Sequence, residues 1–129
     1  MDSGLILFAH GARDPRWAEP FERLRDKVRA RVEGTPVTLA FLEHLPPGLA
    51  EAASNMAAQG VRRIRIVPMF FGRGGHLRDD FPRLLDAVKA RLPEVRFEVT
   101  LAAGEDDGVL ETLAEFATQA SSLQYSSQS

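Results

Sequence analysis

The chain has 129 residues, of which 44% are hydrophobic, with 18 acidic and 16 basic side chains and no cysteine. This length is enough for a buried core without disulfides or a structural metal, and the missing cysteines exclude thiolate metal sites, iron–sulfur clusters and cysteine nucleophiles. A net charge of −2 does not suggest nucleic-acid binding by the surface as a whole.

The two ends of the chain carry no targeting or membrane signal. No stretch approaches the ~20 apolar residues of a membrane span, and no basic region precedes the first apolar run. We therefore expect a cytoplasmic protein without membrane contact. Residues 121–129 are rich in Ser and Gln and lack periodicity, which predicts a disordered tail after a single domain over 1–120.

Four short apolar runs alternate with four amphipathic segments along the chain. The runs lie at 5–9, 37–42, 61–71 and 95–101, and their apolar centres are typical of buried parallel strands. After each run, apolar residues recur at the three-to-four spacing of one helical face. With right-handed crossovers, this order predicts an α/β fold: a four-stranded doubly wound parallel sheet of order 2-1-3-4, with helices on both faces.

Polar side chains follow three of the predicted strands. His10 follows the first strand, Glu43 the second and His76 the third. Ligands of open α/β sheets bind beyond the carboxyl ends of the strands, so we expect these groups to converge. Two imidazoles and one carboxylate suit Co²⁺, Fe²⁺, Ni²⁺ or Zn²⁺ better than Mg²⁺ or Ca²⁺. With three protein ligands, an ion keeps open positions for water or for transfer to a stronger ligand.

Each of these residues also has a purely structural interpretation. His10 could satisfy the backbone of the turn before the first helix, and Glu43 could be an ordinary solvated acid. If the strand geometry persists, His44 points away from Glu43, toward solvent or the rim. A histidine phosphatase would need arginine immediately before the histidine, where this chain has Ala9. A non-catalytic module that stores or delivers a divalent ion would use the same ligands and stays an alternative.

A glycine-rich segment leads from the third strand to His76. It matches neither common phosphate-binding pattern, so it is a weak nucleotide signal. Its glycines would let the backbone lie against a flat, bulky ligand, and arginines at the same rim could pair with carboxylates of that ligand. Phe70 and Phe71 would supply apolar surface nearby. The predicted substrate-binding residues are Arg13, Phe71, Gly72, Arg73, Gly74, Gly75 and Arg78.

Three segments resemble one known family. LFAHGARDP at 7–15, FLE at 41–43 and VPMFFGRGGHLRDDFP at 67–82 are similar to the small CbiX-type sirohydrochlorin chelatases, and the resemblance extends from about residue 4 to 118. Ala12 departs from the Ser that is more usual after the His-Gly pair. The predicted fold is then chelatase-like.

The resemblance implies a reaction and a set of roles. The protein would insert Co²⁺ or Fe²⁺, with Ni²⁺ a further possible ion, into sirohydrochlorin on the route to cobalamin or sirohaem. It would use no organic cofactor. His10 and His76 would bind the metal and abstract protons, with Glu43 as the acidic partner. Larger relatives have two such domains that face each other, which implies a homodimer here.

Overall fold

The computed structural model describes residues 2–72 and 74–119, with only the backbone for residues 75–78. The predicted tail at 121–129 lies outside the described residues. The strands are β1 (Ser3–Ala9), β2 (Val37–Phe41), β3 (Arg63–Pro68) and β4 (Arg96–Val99). The α-helices are α1 (Glu19–Arg31), α2 (Leu49–Ala58), α3 (Gly75–Arg91) and α4 (Asp107–Thr118), and 3-10 turns span Pro15–Ala18 and Ala103–Glu105.

The four strands form one parallel sheet in the order β2-β1-β3-β4, which confirms the predicted fold and strand order. β1 is central, because Leu5 pairs with Val37 of β2 on one side and with Arg65 of β3 on the other. The carboxyl ends of β1, β2 and β3 therefore lie at one edge of the sheet, which we call the carboxyl edge.

Side chains of β1 alternate between two apolar clusters. Ile6 and Phe8 are fully buried in the cluster that α2 and α3 cover, whereas Leu7 and Ala9 lie in the cluster that α1 covers. Burial on both faces explains the continuous apolar run of this strand, as expected for the centre of a parallel sheet. The central strand is therefore a rigid base for the loop that follows it.

β3 is shorter and more polar than the buried strand predicted over 61–71. Arg63 and Arg65 are exposed on the face that bears α1, and the Arg65 Nε donates a hydrogen bond of 2.6 Å to Oε1 of Glu98 on β4. This face of β3 is polar because no helix buries it. α1 packs over β1 and β2, and every residue of α4 is exposed, so α4 does not bury β3 either. None of the helices in the described ranges is long and apolar enough to cross a bilayer.

Candidate functional site

The loops after β1 and β2 are joined by their backbones. The N–H of Leu42 donates to the carbonyl of Ala9 at 2.9 Å, and the N–H of Glu43 donates to the carbonyl of His10 at 3.1 Å. Gly11 has φ +96°, and a Cβ at this position would overlap the carbonyl oxygen of Glu43. Only glycine combines the left-handed conformation with this close approach. Gly11 thus lets the two loops meet.

This contact places His10 beside Glu43. The Nε2 of His10 lies 3.3 Å from Oε2 of Glu43, and both side chains are about half exposed, at 51% and 52%. The edge of the His10 ring packs against Phe70, with ring centroids 6.2 Å apart. A nitrogen and an oxygen ligand each bind Zn²⁺-like ions at about 2.0–2.2 Å, so a 3.3 Å separation allows one ion to be shared. The pair is open to an ion arriving from solvent.

His44 does not point away from Glu43, so that part of the expectation is wrong, whereas its side chain, 34% exposed, does lie at the rim. Its Nε2 lies 3.8 Å from the same Oε2 of Glu43, and its φ is +70°. The physical reason is that β2 ends at Phe41, so strand alternation does not extend to residue 44. The sequence offered no signal for this turn, because a left-handed conformation is uncommon for residues other than glycine.

His76 lies in the first turn of α3, which follows β3 at the carboxyl edge. Its side chain lies outside the description, so its approach to His10 and Glu43 stays a prediction. Among the described residues, no three His, Cys, Asp or Glu side chains are grouped so that they could hold one metal ion. The complete ligand set therefore depends on what α3 contributes.

The predicted substrate-binding residues fall into two groups. Arg13 and Phe71 are exposed, Phe71 at 74%. At Gly72 and Gly74, no described heavy atom outside the neighbouring residues lies within 4 Å of the position that a Cβ would take. Arg73 lies outside the described residues, and the structure describes only the backbone of Gly75 and Arg78, both in α3.

Phe70 is buried, with 9% of its surface exposed, so it does not add to the apolar rim. It contacts Phe8 edge-on instead, with ring centroids 5.8 Å apart. The alternation of β3 continues far enough to turn this side chain into the core between the sheet and α3. Phe71 alone of the two phenylalanines faces outward.

Arg16 is occupied by a local contact. Its guanidinium and its backbone N–H both donate to Asp14, whose side chain caps the 3-10 turn before α1. The Arg16 side chain is the main reason why the pKa of the Asp14 carboxyl lies below its ordinary value, and the bond to the Arg16 backbone adds to it. Arg16 therefore shapes the loop after His10.

Comparison with known proteins gives one consistent result. The CbiX family model matches residues 4–120. The chain is 35% identical to a sirohydrochlorin cobaltochelatase of Saccharolobus solfataricus, over 87% of this chain and 91% of the relative. It is 29% identical to a sirohydrochlorin cobaltochelatase of Sulfurisphaera tokodaii, over 87% of this chain and 88% of the relative.

Solved structures share the fold. A cobalamin (vitamin B12) biosynthesis CbiX protein of Marinobacter aquaeolei has a TM-score of 0.81 and 28% identity, covering 89% of this chain and 93% of that chain. The sirohydrochlorin chelatase SirB of Bacillus subtilis subspecies spizizenii, in complex with cobalt, has a TM-score of 0.76 and 22% identity, covering 91% of this chain and 50% of that chain. Because the family model matches nearly the whole described length and a relative of similar length is 35% identical, this chain belongs to the CbiX family.

Proposed function

We propose that this protein inserts a divalent metal ion, Co²⁺ or Fe²⁺, into sirohydrochlorin. The observation that carries the proposal is the contact between His10 and Glu43 at the carboxyl edge of a CbiX-family sheet, half exposed and 3.3 Å apart. Relatives of similar length are sirohydrochlorin cobaltochelatases. The metal is a substrate that the protein receives and releases into the ring.

The reaction removes two pyrrole N–H protons and replaces water on the ion by ring nitrogens. In this proposal His10 and Glu43 hold the ion, and His76 joins them from the start of α3. A neutral imidazole has one lone pair, so His10 first holds the ion and becomes free to act as a base once the ion has passed to the ring nitrogens. It then takes up the two N–H protons in turn and returns each to solvent. Because the His10 side chain is half exposed, it can release each proton directly to water.

Recognition of the macrocycle would use the surface next to this pair. Sirohydrochlorin carries carboxylates, which arginine binds well, and a flat apolar body, which suits an exposed aromatic ring. Arg13 and Phe71 are exposed, and Gly72 and Gly74 leave the adjacent backbone uncovered. We assign substrate contacts to these four residues, and to Arg73, Gly75 and Arg78 from the family resemblance.

The direct test mixes purified protein with sirohydrochlorin and Co²⁺ and follows the absorption spectrum of the ring. We expect His10→Ala, His76→Ala and Glu43→Gln each to lower the catalysed rate at least ~100-fold, the scale of losing a positioned base or ligand. Glu94→Gln is the matched control, because Glu94 is exposed in the turn before β4, at the opposite edge. Stoichiometric Co²⁺ binding without turnover of the ring would favour the metal-delivery alternative and overturn the chelatase assignment.

We also propose that the protein works as a homodimer that covers an exposed apolar surface. On α4, four apolar residues share one helical face and are 37–64% exposed: Val109, Leu110, Leu113 and Phe116. Three acids, Asp107, Glu111 and Glu115, lie on the opposite face. A monomer would leave the exposed part of this apolar face in water, whereas a two-fold pairing of α4 with its copy would bury it and keep the acids solvated.

The same surface continues toward the site. The 3-10 turn that precedes α4 packs against the end of β3, where the N–H of Gly104 donates to the carbonyl of Phe70 at 2.8 Å, next to exposed Phe71. A partner on α4 would therefore sit near the rim of the site. Residues 1–120 as one functional unit, and a cytoplasmic location, remain predictions from the sequence.

Light scattering at micromolar concentration tests the dimer. We expect twice the 14.2 kDa chain mass for the unaltered protein and a single chain mass for Leu113→Asp, because a buried unpaired charge opposes pairing. Glu111→Ala, on the acidic face of the same helix, is the control and should stay dimeric. A single chain mass for the unaltered protein, with full chelatase activity, would contradict the proposal.

A further inference from the structure

Glu43 has two imidazole neighbours, not one. Its Oε2 lies 3.3 Å from Nε2 of His10 and 3.8 Å from Nε2 of His44. The His44 side chain is 34% exposed, so it is neither part of the core nor fully surrounded by water. The roles implied by the family resemblance leave His44 unassigned.

The backbone at His44 adopts a rare conformation. The N–H of Leu45 donates to the carbonyl of Glu43 at 2.9 Å, which closes a three-residue turn with His44 at its centre and φ +70°. Three-residue turns with positive φ at the centre are rare and strained, and such strain concentrates at functional sites. Here the conformation has a visible consequence, because it brings the imidazole to the Glu43 carboxylate.

We propose that His44 is a further metal-binding residue of this site, which forms with Glu43 a receiving position for the divalent ion beside the position that Glu43 forms with His10. The proposal rests on the proposed chelatase function. An imidazole nitrogen and a carboxylate oxygen that each bind at about 2.0–2.2 Å can share an ion when they lie up to about 4 Å apart. The 3.8 Å separation is within that limit.

Sharing the carboxylate gives the ion a short path. A hydrated ion first exchanges two waters, one for Oε2 of Glu43 and one for the His44 nitrogen. It then exchanges the His44 nitrogen for that of His10, and Glu43 stays bound throughout. No proton or electron moves in this exchange. A position with only two protein ligands holds the ion weakly, which suits an ion that must move on to the ring.

The test uses two variants that remove the imidazole but keep the turn. His44→Asn suits the left-handed conformation, because Asn is enriched there, and His44→Gly adopts it without strain. Co²⁺ is titrated into the protein without any tetrapyrrole, with heat and the visible Co²⁺ spectrum as readouts. We expect both variants to raise the Co²⁺ Kd at least ~10-fold, to shift the spectrum, and to raise the KM for Co²⁺ more than they lower kcat.

The outcomes separate this inference from the proposed function. A wild-type Kd in both variants overturns the role of His44 as a ligand. A wild-type Kd in either one of them does the same, because that variant binds Co²⁺ without the imidazole. If the unaltered protein binds Co²⁺ but does not insert it into sirohydrochlorin, the proposed function itself fails, whatever the His44 variants show. Weaker binding in both variants with an unchanged urea unfolding midpoint supports His44 as a ligand.

Discussion

Two loops at the carboxyl edge contain glycine, and they use it in opposite ways. Gly11 after β1 is left-handed and pressed against the carbonyl of Glu43, so no side chain fits there. Gly72 and Gly74 after β3 have open space around them, and neither adopts a left-handed conformation. The first glycine brings two parts of the protein together, whereas the other two leave room outside the protein.

Gly11 serves the contact between two loops, whereas Gly72 and Gly74 serve the space that a substrate needs. The segment from Gly72 to Gly75 is conspicuous in the sequence, yet Gly11 is the glycine that lets His10 and Glu43 lie 3.3 Å apart. Preorganisation of a metal site requires that its ligands already lie close before the ion arrives. Room for a large substrate requires only that nothing fills the space.

The largest expected effect follows from Gly11→Ala. A Cβ would overlap the Glu43 carbonyl and would also strain the left-handed backbone, so we expect a loss of at least ~2 kcal/mol in the free energy of unfolding, and loss of Co²⁺ binding. Urea unfolding and calorimetric Co²⁺ titration measure the two effects.

Gly60→Ala is the matched control for that variant. Gly60 has nearly the same φ, +97°, but no atom lies within 4 Å of its Cβ position, so it reports the backbone penalty alone, roughly 1 kcal/mol. The difference between the two variants then measures the contact with Glu43. Equal losses in Gly11→Ala and Gly60→Ala would show that this contact is not what holds the loops together.

A smaller and more selective effect is expected for Gly72→Ala. Because the added methyl group meets open space, the free energy of unfolding should change by less than ~0.5 kcal/mol. If the macrocycle lies over this backbone, the KM for sirohydrochlorin should rise several-fold while Co²⁺ binding stays unchanged. Steady-state insertion kinetics measure both, and an unaltered KM would place the macrocycle elsewhere on the edge.

The local pattern of the chain was sufficient for the order of strands and helices and for the parallel sheet of order 2-1-3-4. Apolar runs and helical spacing are properties of neighbouring residues, and right-handed crossovers then leave few topologies. The same reasoning located His10 and Glu43 at the ends of adjacent strands, because residues that follow β1 and β2 must share one edge.

Only the tertiary structure decided which faces are covered and how the loops meet. Arg63 and Arg65 are exposed because α4 does not pack over β3, and a strand's own sequence cannot report the absence of such a neighbour. The need for glycine at position 11 arises from contact with the carbonyl of Glu43, about thirty residues away in the chain. The backbone conformation at Gly11 depends on the space that the loop after β2 leaves free, and the residues next to Gly11 in the sequence do not determine that space.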